Sequence, residues 1–369
     1  MVTDNTNKNI NIAQSFMATQ PRKLLCKRRI KLKMEKKIIR TVNHDDIEII
    51  EYSMKNQHLE VRFLNVGGAI TKIALAEDDY KKNLVVNYQD VENYLNNSCY
   101  LNALVGRTAN RITDGKFTIN DKEIQVDLND GPNNLHGGVE NLTHTIFDVT
   151  ISDCGYHLQT VLPDQPDGFP GNINLSIYYK LKANQVKIEY KALTDKDTIF
   201  NPTQHAYFNL SGNLERTIYD HVLQINGDKV ADINEFSSFT EKLTPVEGTR
   251  FDFISPTVID PAEKPESALF DRATGYDHLF VLNDEGHVAT FYDPKSGRKL
   301  EVYTTEPAMQ FYAGNYMDDK MLFEGNRVGE THLGACFETH KIPFDFESQT
   351  LKPGEVYTQE ATWVFSKEA

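Results

Sequence analysis

From residue 45 onward, apolar and polar positions alternate with a period of two. Leu59, Val61 and Phe63 fall on one side and Glu60 and Arg62 on the other; Gly67-Gly68 interrupts, and an apolar run resumes from Ala69 to Leu75. That pattern predicts a half-buried strand, a turn or bulge, and a second strand. Phe117-Thr118-Ile119, Asn120-Asp121 and Ile124-Gln125-Val126 read as a hairpin. Ile173, Leu175, Ile177, Tyr179 and Leu181 alternate with polar residues, and after Ala183-Asn184 the alternation returns through Val186, Ile188 and Tyr190, so these two segments are adjacent antiparallel strands. The texture continues through Leu300–Thr304 and closes with Ala361–Phe365. Helical periodicity is weak everywhere, with Val91 to Tyr100 the best short candidate. No Pro- or Ser-rich linker and no fixed repeat divides the chain. The expectation is one large all-β domain over residues 41–369, an antiparallel β-sandwich with long loops on which a site is built.

Composition narrows the classes. The 369 residues are 40% hydrophobic and 25% charged, ordinary for a globular protein. No apolar run is long enough to cross a bilayer, so no membrane span is expected. Cys26, Cys99, Cys154 and Cys336 are widely spaced, with no CxxC pair and no secretory pattern. Reduced thiols in the cytoplasm are the simplest account. The net charge of −14 hides an asymmetry: residues 1–40 hold 11 basic and 2 acidic side chains, leaving −23 on the rest. A body that acidic repels a phosphate backbone, so nucleic acid is not expected as a ligand. Residues 1–40 are expected to be a solvated, disordered extension, with an acidic-surface-binding tail as the competing reading. Met34 is a candidate second start.

Familiar catalytic signatures are missing: no GxxxxGK[ST], no GxGxxG after a strand, no HExxH and no GxSxG. What remains is a set of polar clusters in strand-like sequence. Asn201-Pro202-Thr203-Gln204-His205-Ala206-Tyr207-Phe208-Asn209-Leu210 sets a histidine among amides and rings. His205 is therefore a candidate acid or base, or else a core histidine with satisfied nitrogens. Gly106–Ile112 offers Asn110 and Arg111 as donors to hydroxyls or a carboxylate, against an arginine simply paired at a strand end. Asn133-Asn134-Leu135-His136-Gly137-Gly138 is a tight loop in which His136 either meets a ligand or is incidental. Asp277, in Gly275-Tyr276-Asp277-His278, either grips sugar hydroxyls or accepts in a turn. Gln310 sits beside rings suited to stacking on a sugar. Glu338, in Cys336-Phe337-Glu338-Thr339, is either a desolvated base or a solvent-facing strand residue. The two histidines could also be metal ligands, but no compact His/carboxylate spacing completes a set, so a metal is not expected.

Together GRTANRI, NNLHGG, DGFPG at 167–171, NPTQHAYFNL, GYDH, EPAMQFYAGN and CFET resemble the aldose 1-epimerase (galactose mutarotase) family, in the family's order from about residue 45 to the end. The resemblance implies a β-sandwich of the galactose-mutarotase type that interconverts the anomers of free aldohexoses such as galactose and glucose without metal or cofactor. It implies Glu338 as base on the C1 hydroxyl and His205 as acid on the ring oxygen. His136, Asp277 and Arg111 would hold and polarise the sugar, and Asn110 and Gln310 would line its pocket. The residue before His205 differs from that of many members, and residues 1–40 have no counterpart; both leave sugar preference open.

Two rivals follow. A hexose-6-phosphate 1-epimerase would gather extra Arg or Lys for the phosphate. A non-catalytic carbohydrate-binding module would keep aromatic and amide contacts without needing both Glu338 and His205. The expected partner is a monosaccharide, and a monomer and a homodimer remain equally open.

Overall fold

The alternating segments become strands, and every strand pair in the principal sheets is antiparallel. The computed structural model describes residues 32–42, 47–260, 262 and 264–368. Nine strands form the largest sheet, in the order Asp148–Ser152, Gly155–Leu162, Ile173–Lys182, Gln185–Thr194, Tyr357–Lys367, Arg298–Thr304, Gly286–Asp293, Val222–Ile225 and Thr257–Val258. A five-stranded sheet runs Phe239–Pro245, Lys229–Ile233, Asp277–Val281, Ala308–Tyr312 and Cys336–His340. A four-stranded sheet runs Lys33–Val42, Ile47–Lys55, Leu59–Leu64 and Ile70–Leu75.

One apolar core joins the three. Phe63 of the four-stranded sheet meets Tyr179 of the large sheet edge-on at 5.0 Å, and Phe337 of the five-stranded sheet meets Phe291 at 5.3 Å. Trp363, on the last strand, takes the ring of Phe208 edge-on at 4.9 Å. Burying rings of this size stabilises the assembly by roughly 2 kcal/mol or more apiece, which is why the inward residues of each strand are so uniformly apolar.

The hairpin expected at 117–126 is present as Lys116–Ile119 paired with Lys122–Gln125, and the strands at 59–75 and 173–194 lie where the alternation puts them. Two expectations are corrected. The candidate helix at Val91–Tyr100 is a short 3₁₀ segment, Val91–Asn96, capped by Asp90 accepting from the Glu92 amide; six residues are too few to sustain an isolated α-helix. The end of the supposed extension is part of a sheet: Lys33–Val42 pairs with Ile47–Lys55 as an edge strand, so residues 33–40 belong with the β-structure rather than with a disordered segment. Its basic side chains stay exposed, while Met34 packs against the main core and Ile39 against a second cluster. Lysines on an edge strand discourage pairing with another chain, and they also disguise the strand in sequence. Residues 1–31, with Cys26, lie outside the described residues. No helix among the described residues is long and apolar enough to cross a membrane.

Three core histidines are held uncharged. His278 accepts the Asp277 amide at Nδ1, 3.1 Å, and its Nε2–H donates to the Leu269 carbonyl at 3.2 Å. His340 Nδ1–H donates to the Lys341 carbonyl at 2.7 Å, and His221 stacks on Phe291 at 4.9 Å. Burial pushes each from the ordinary 6.5 down to about 4. Below pH 6.5 the unfolded chain takes up protons at these rings while the folded chain does not. Their contribution to stability is thus complete above 6.5 and lost as pH falls toward 4. In a histidine NMR titration these three rings should remain neutral at pH 5.5 and show no inflection near 6.5; a midpoint near 6.5 for any of them refutes its burial as an uncharged group.

Candidate active site

The pleat of the five-stranded sheet builds the floor of the site. Asp277 pairs with Tyr312, Tyr312 with Cys336, and Gln310 with Glu338. Directly opposed residues share a face. Asp277, Gln310, Tyr312, Cys336 and Glu338 therefore stand on one side, while Phe280, Met309, Phe311 and Phe337 point into the core. The rings of the EPAMQFYAGN segment divide accordingly: Tyr312 lines the site and Phe311 does not.

His205 follows the short strand Thr203–Gln204, which pairs with Leu104–Val105. Amides and hydroxyls fasten this segment. The Asn201 side chain accepts the Lys341 amide at 2.8 Å and donates to the Lys341 carbonyl at 3.1 Å, and Thr203 Oγ1 donates to the Thr339 carbonyl at 2.9 Å. Asn209 donates to the carbonyls of Arg216 and Leu333, both at 2.7 Å. The polar residues of the motif bond backbone, and each satisfies a buried carbonyl or amide.

Asn110, Arg111 and His136 come from two loops zipped together where Arg111–Ile112 pairs with Asn134–Leu135. The Asn110 amide donates to His136 Nδ1 at 3.2 Å, and the His136 amide donates to the Asn110 carbonyl at 3.1 Å. With Nδ1 accepting, neutral His136 carries its proton on Nε2 as a donor toward the cavity. The two arginines of GRTANRI part company. Arg107 is buried and donates to the carbonyls of Pro170 and Gly171, both at 2.7 Å, which pins the DGFPG turn. Arg111 faces the cavity and its Nε donates to Asp130 at 2.7 Å.

All seven residues singled out, Asn110, Arg111, His136, His205, Asp277, Gln310 and Glu338, line one cavity of about 610 Å³. Asn110 Nδ2 donates to Gln310 Oε1 at 3.1 Å, and Gln310 Nε2 donates to Asp277 Oδ1 at 2.7 Å. This relay fixes the orientation of both amides. His205 Nε2 lies 3.4 Å from Glu338 Oε1, and Glu338 Oε2 has no partner. Burial, with Asp277 adding repulsion and Arg111 opposing it, raises the Glu338 carboxyl well above its usual range. Burial lowers His205 to about 4 and holds His136 well below its ordinary range. Burial thus favours the uncharged form of both the carboxyl and the imidazole.

His136, His205 and Glu338 place donor atoms within 4.8 Å of one another, as three metal ligands would. The Asn110 amide on His136 Nδ1 puts a proton, not a lone pair, on the nitrogen that would bind the ion, so the donor set does not fit a metal. Sequence reasoning missed Tyr100, Tyr207 and Asp130. Tyr207 and Tyr100 stand 4.9 and 6.2 Å from the His205 ring; Tyr207 lies two residues along in the same motif, whereas no spacing rule links Tyr100 to it.

Comparisons with known proteins give the family. The sequence profile of the Aldose 1-epimerase family matches residues 51–362. The chain belongs to the aldose 1-epimerase family. It is 33% identical to galactose mutarotase of Sus scrofa over 325 residues, 86% of this chain and 94% of that one. It is 34% identical to aldose 1-epimerase of Escherichia coli K12 over 290 residues, 75% and 83% of the two chains. Its fold matches the crystal structure of galactose 1-epimerase from Lactobacillus acidophilus with a TM-score of 0.82 at 28% identity, covering 92% of this chain and all of that one. As a member of the aldose 1-epimerase family, this chain is an isomerase with mutarotase activity.

Gly137 is where the two loops approach most closely. At φ +90°, a Cβ there would lie 2.3 Å from the backbone of Gly106 and Arg107. Gly137→Ala should cost about 3 kcal/mol, the sum of left-handed strain and overpacking, read as a lower urea midpoint. A midpoint equal to wild type refutes the close approach.

Proposed function

We propose that this chain interconverts the α and β anomers of free aldohexoses such as galactose and glucose in the cytoplasm, with Glu338 as base and His205 as acid. The carrying observation is the buried carboxyl–imidazole pair at 3.4 Å, in which burial favours the uncharged form of each group. Moving the carboxyl proton from Glu338 to His205 leaves the net charge of the site unchanged and yields a carboxylate and an imidazolium. The carboxylate takes the proton of the C1 hydroxyl as the C1–O1 bond becomes a carbonyl. The C1–O5 bond breaks, its electron pair stays on O5, and O5 takes the proton from His205 Nε2. After rotation about C1–C2, O5 attacks the other face of the aldehyde, its proton returns to His205, and Glu338 returns one to O1.

The supporting residues suit a sugar. His136 Nε2–H is a donor, and Asp277, held by Gln310, is an acceptor for hydroxyls. Glu338 Oε2, buried and without a protein partner, is the free acceptor for the C1 hydroxyl. The cavity wall sets Arg111 against Asp130, Glu235 and Asp277, a balance that repels a phosphate and favours the unphosphorylated sugar. The relatives described as galactose mutarotase support galactose as a substrate. Burying a carboxyl against an imidazole serves proton transfer and is of no use to a module that only binds.

In polarimetry of freshly dissolved α-D-galactose and α-D-glucose, the wild type should speed the approach to anomeric equilibrium. Glu338→Gln and His205→Asn should each lose roughly 100- to 10,000-fold in kcat while remaining folded. A wild type that binds both sugars at the spontaneous rate of mutarotation would overturn the assignment.

The pH dependence follows from the same pair. Entry of a second proton, at His205, sets the acid limb near the value of about 4 to which burial lowers that ring. Loss of the carboxyl proton, governed by the raised Glu338, sets the alkaline limb. The groups facing His205 are Glu338, His136, Tyr100, Tyr207, Tyr312 and Cys336. kcat/KM should hold a plateau from about pH 5 through neutrality; an acid limb at 6.5 would show that His205 is not desolvated.

A further inference from the structure

Side chains on the floor of the site fall into rows across the five-stranded sheet. Glu338 and Gln310 share one row with Leu279, and Cys336, Tyr312 and Asp277 share the next. His205 spans both rows: Glu338 Oε1 lies 3.4 Å from its Nε2, and Cys336 Sγ lies 3.4 Å from its Nδ1. Tyr312 therefore stands on the Nδ1 side of the imidazole, away from the atoms that exchange protons. Two residues along a strand are roughly 7 Å, close to the width of a pyranose with its hydroxyls. A sugar whose C1 and ring oxygen sit at Glu338 and His205 thus brings hydroxyls on the other side of its ring to the row of Tyr312 and Asp277.

The Tyr312 hydroxyl is set up as a donor. After its strand the chain turns at Gly314, φ +65°, and the Tyr316 amide comes back to donate to Tyr312 Oη at 3.1 Å. The turn is fixed from outside: the His332 amide donates to the Gly314 carbonyl, and His332 Nδ1–H donates to the Ala313 carbonyl, both at 3.0 Å. The phenol ring is clamped as well, stacked on Tyr316 at 6.3 Å and set edge-on to Tyr207 at 5.8 Å and to His205 at 6.0 Å. A phenol oxygen both accepts and donates. Its accepting side holds the amide, and among the described residues nothing accepts its proton, although the side chain is buried and lines the cavity. Burial, with Asp277 adding repulsion, keeps the phenol well above its ordinary range, so it stays protonated.

We propose that Tyr312 is a substrate-binding residue whose hydroxyl donates a hydrogen bond to a sugar hydroxyl on the side of the ring away from C1. This deepens the reading of the site as an aldohexose pocket and rests on it. Asp277, opposite Tyr312 in the same row, supplies the complementary acceptor. A phenol that gives and a carboxylate that takes suit a hydroxyl, which can do the reverse of each; a bare methylene can do neither. The pair therefore selects sugars hydroxylated at that position, and it acts on binding rather than on the proton transfers at Glu338 and His205.

The test is polarimetric kinetics of the wild type and Tyr312→Phe on D-galactose and on its 2-, 3-, 4- and 6-deoxy derivatives. On galactose the variant should lose about tenfold in kcat/KM, the effect of one hydrogen bond. The loss should fall on KM with kcat within about twofold, as for an interaction made equally in ground and transition states. It should vanish for one of the 3-, 4- or 6-deoxy sugars, which lacks the hydroxyl that Tyr312 meets, and persist for the 2-deoxy sugar. No loss on galactose, an equal loss on every sugar, or a loss that vanishes only for the 2-deoxy sugar each overturns the proposal; the second would mark a shifted turn at Gly314 instead of a contact. If Tyr312→Phe fails to fold, the wild type decides with deoxyfluoro sugars, since fluorine accepts but cannot donate. At the same position fluorine should recover part of what the deoxy sugar loses, and recovery at none of the three positions refutes the donor. If the wild type fails to speed mutarotation, the function assignment falls, and calorimetric affinities for the same sugars judge Tyr312 alone; failure to bind any of them overturns both.

Discussion

A carboxyl buried against an uncharged imidazole is the constraint on which this site depends. Neither group is easily charged where it stands, since both are buried and Arg111, whose charge acts on Glu338, is engaged by Asp130. The pair can exchange one proton internally at constant net charge, whereas an isolated buried charge would cost several kcal/mol. Such an arrangement works only if both groups are held still. The rigidity comes from the sheet: Glu338 lies in a strand paired along its length with Ala308–Tyr312, and His205 is fastened by bonds from its neighbours to that same strand and the residue after it.

The polar residues of these segments thus serve two ends. Those whose side chains bond backbone, such as Asn201, Thr203, Asn209 and Arg107, hold loops in place. Those on the open face, such as Gln310 and Asp277, bond one another and present their remaining atoms to the cavity. Within GRTANRI the two functions fall on arginines four residues apart, one buried among carbonyls and the other facing the pocket. Chemical type alone does not separate them.

Much of the fold could be read from the alternation, because a strand with one face in the core leaves a period-two trace: residues 59–75, 173–194 and 298–304 are examples. The edge strand Lys33–Val42 left no such trace, since an exposed strand carrying lysines has no buried face to write the pattern. The seven cavity residues were legible through their motifs and their resemblance to a family. Tyr100 and Asp130 were not, for they reach the site only through loops and pairings distant in sequence, and Tyr207, though inside the motif of His205, had nothing in its spacing to set it apart from Phe208. The environment of Glu338 was half legible: apolar neighbours suggested desolvation, but alternation could equally have turned the side chain outward. Its register opposite Gln310 decides the matter.

The relay from Asn110 through Gln310 to Asp277 joins residues up to 200 positions apart. Contacts of that separation close only after most of the intervening chain has found its place, and their loop-closure entropy makes them late and slow to form. The sugar pocket therefore has no partial version. No fragment of the chain holds a working half of it, and a refolding molecule would recover strand structure and aromatic packing before it recovered the pocket. Activity in this architecture is a report that the last long-range contact has closed.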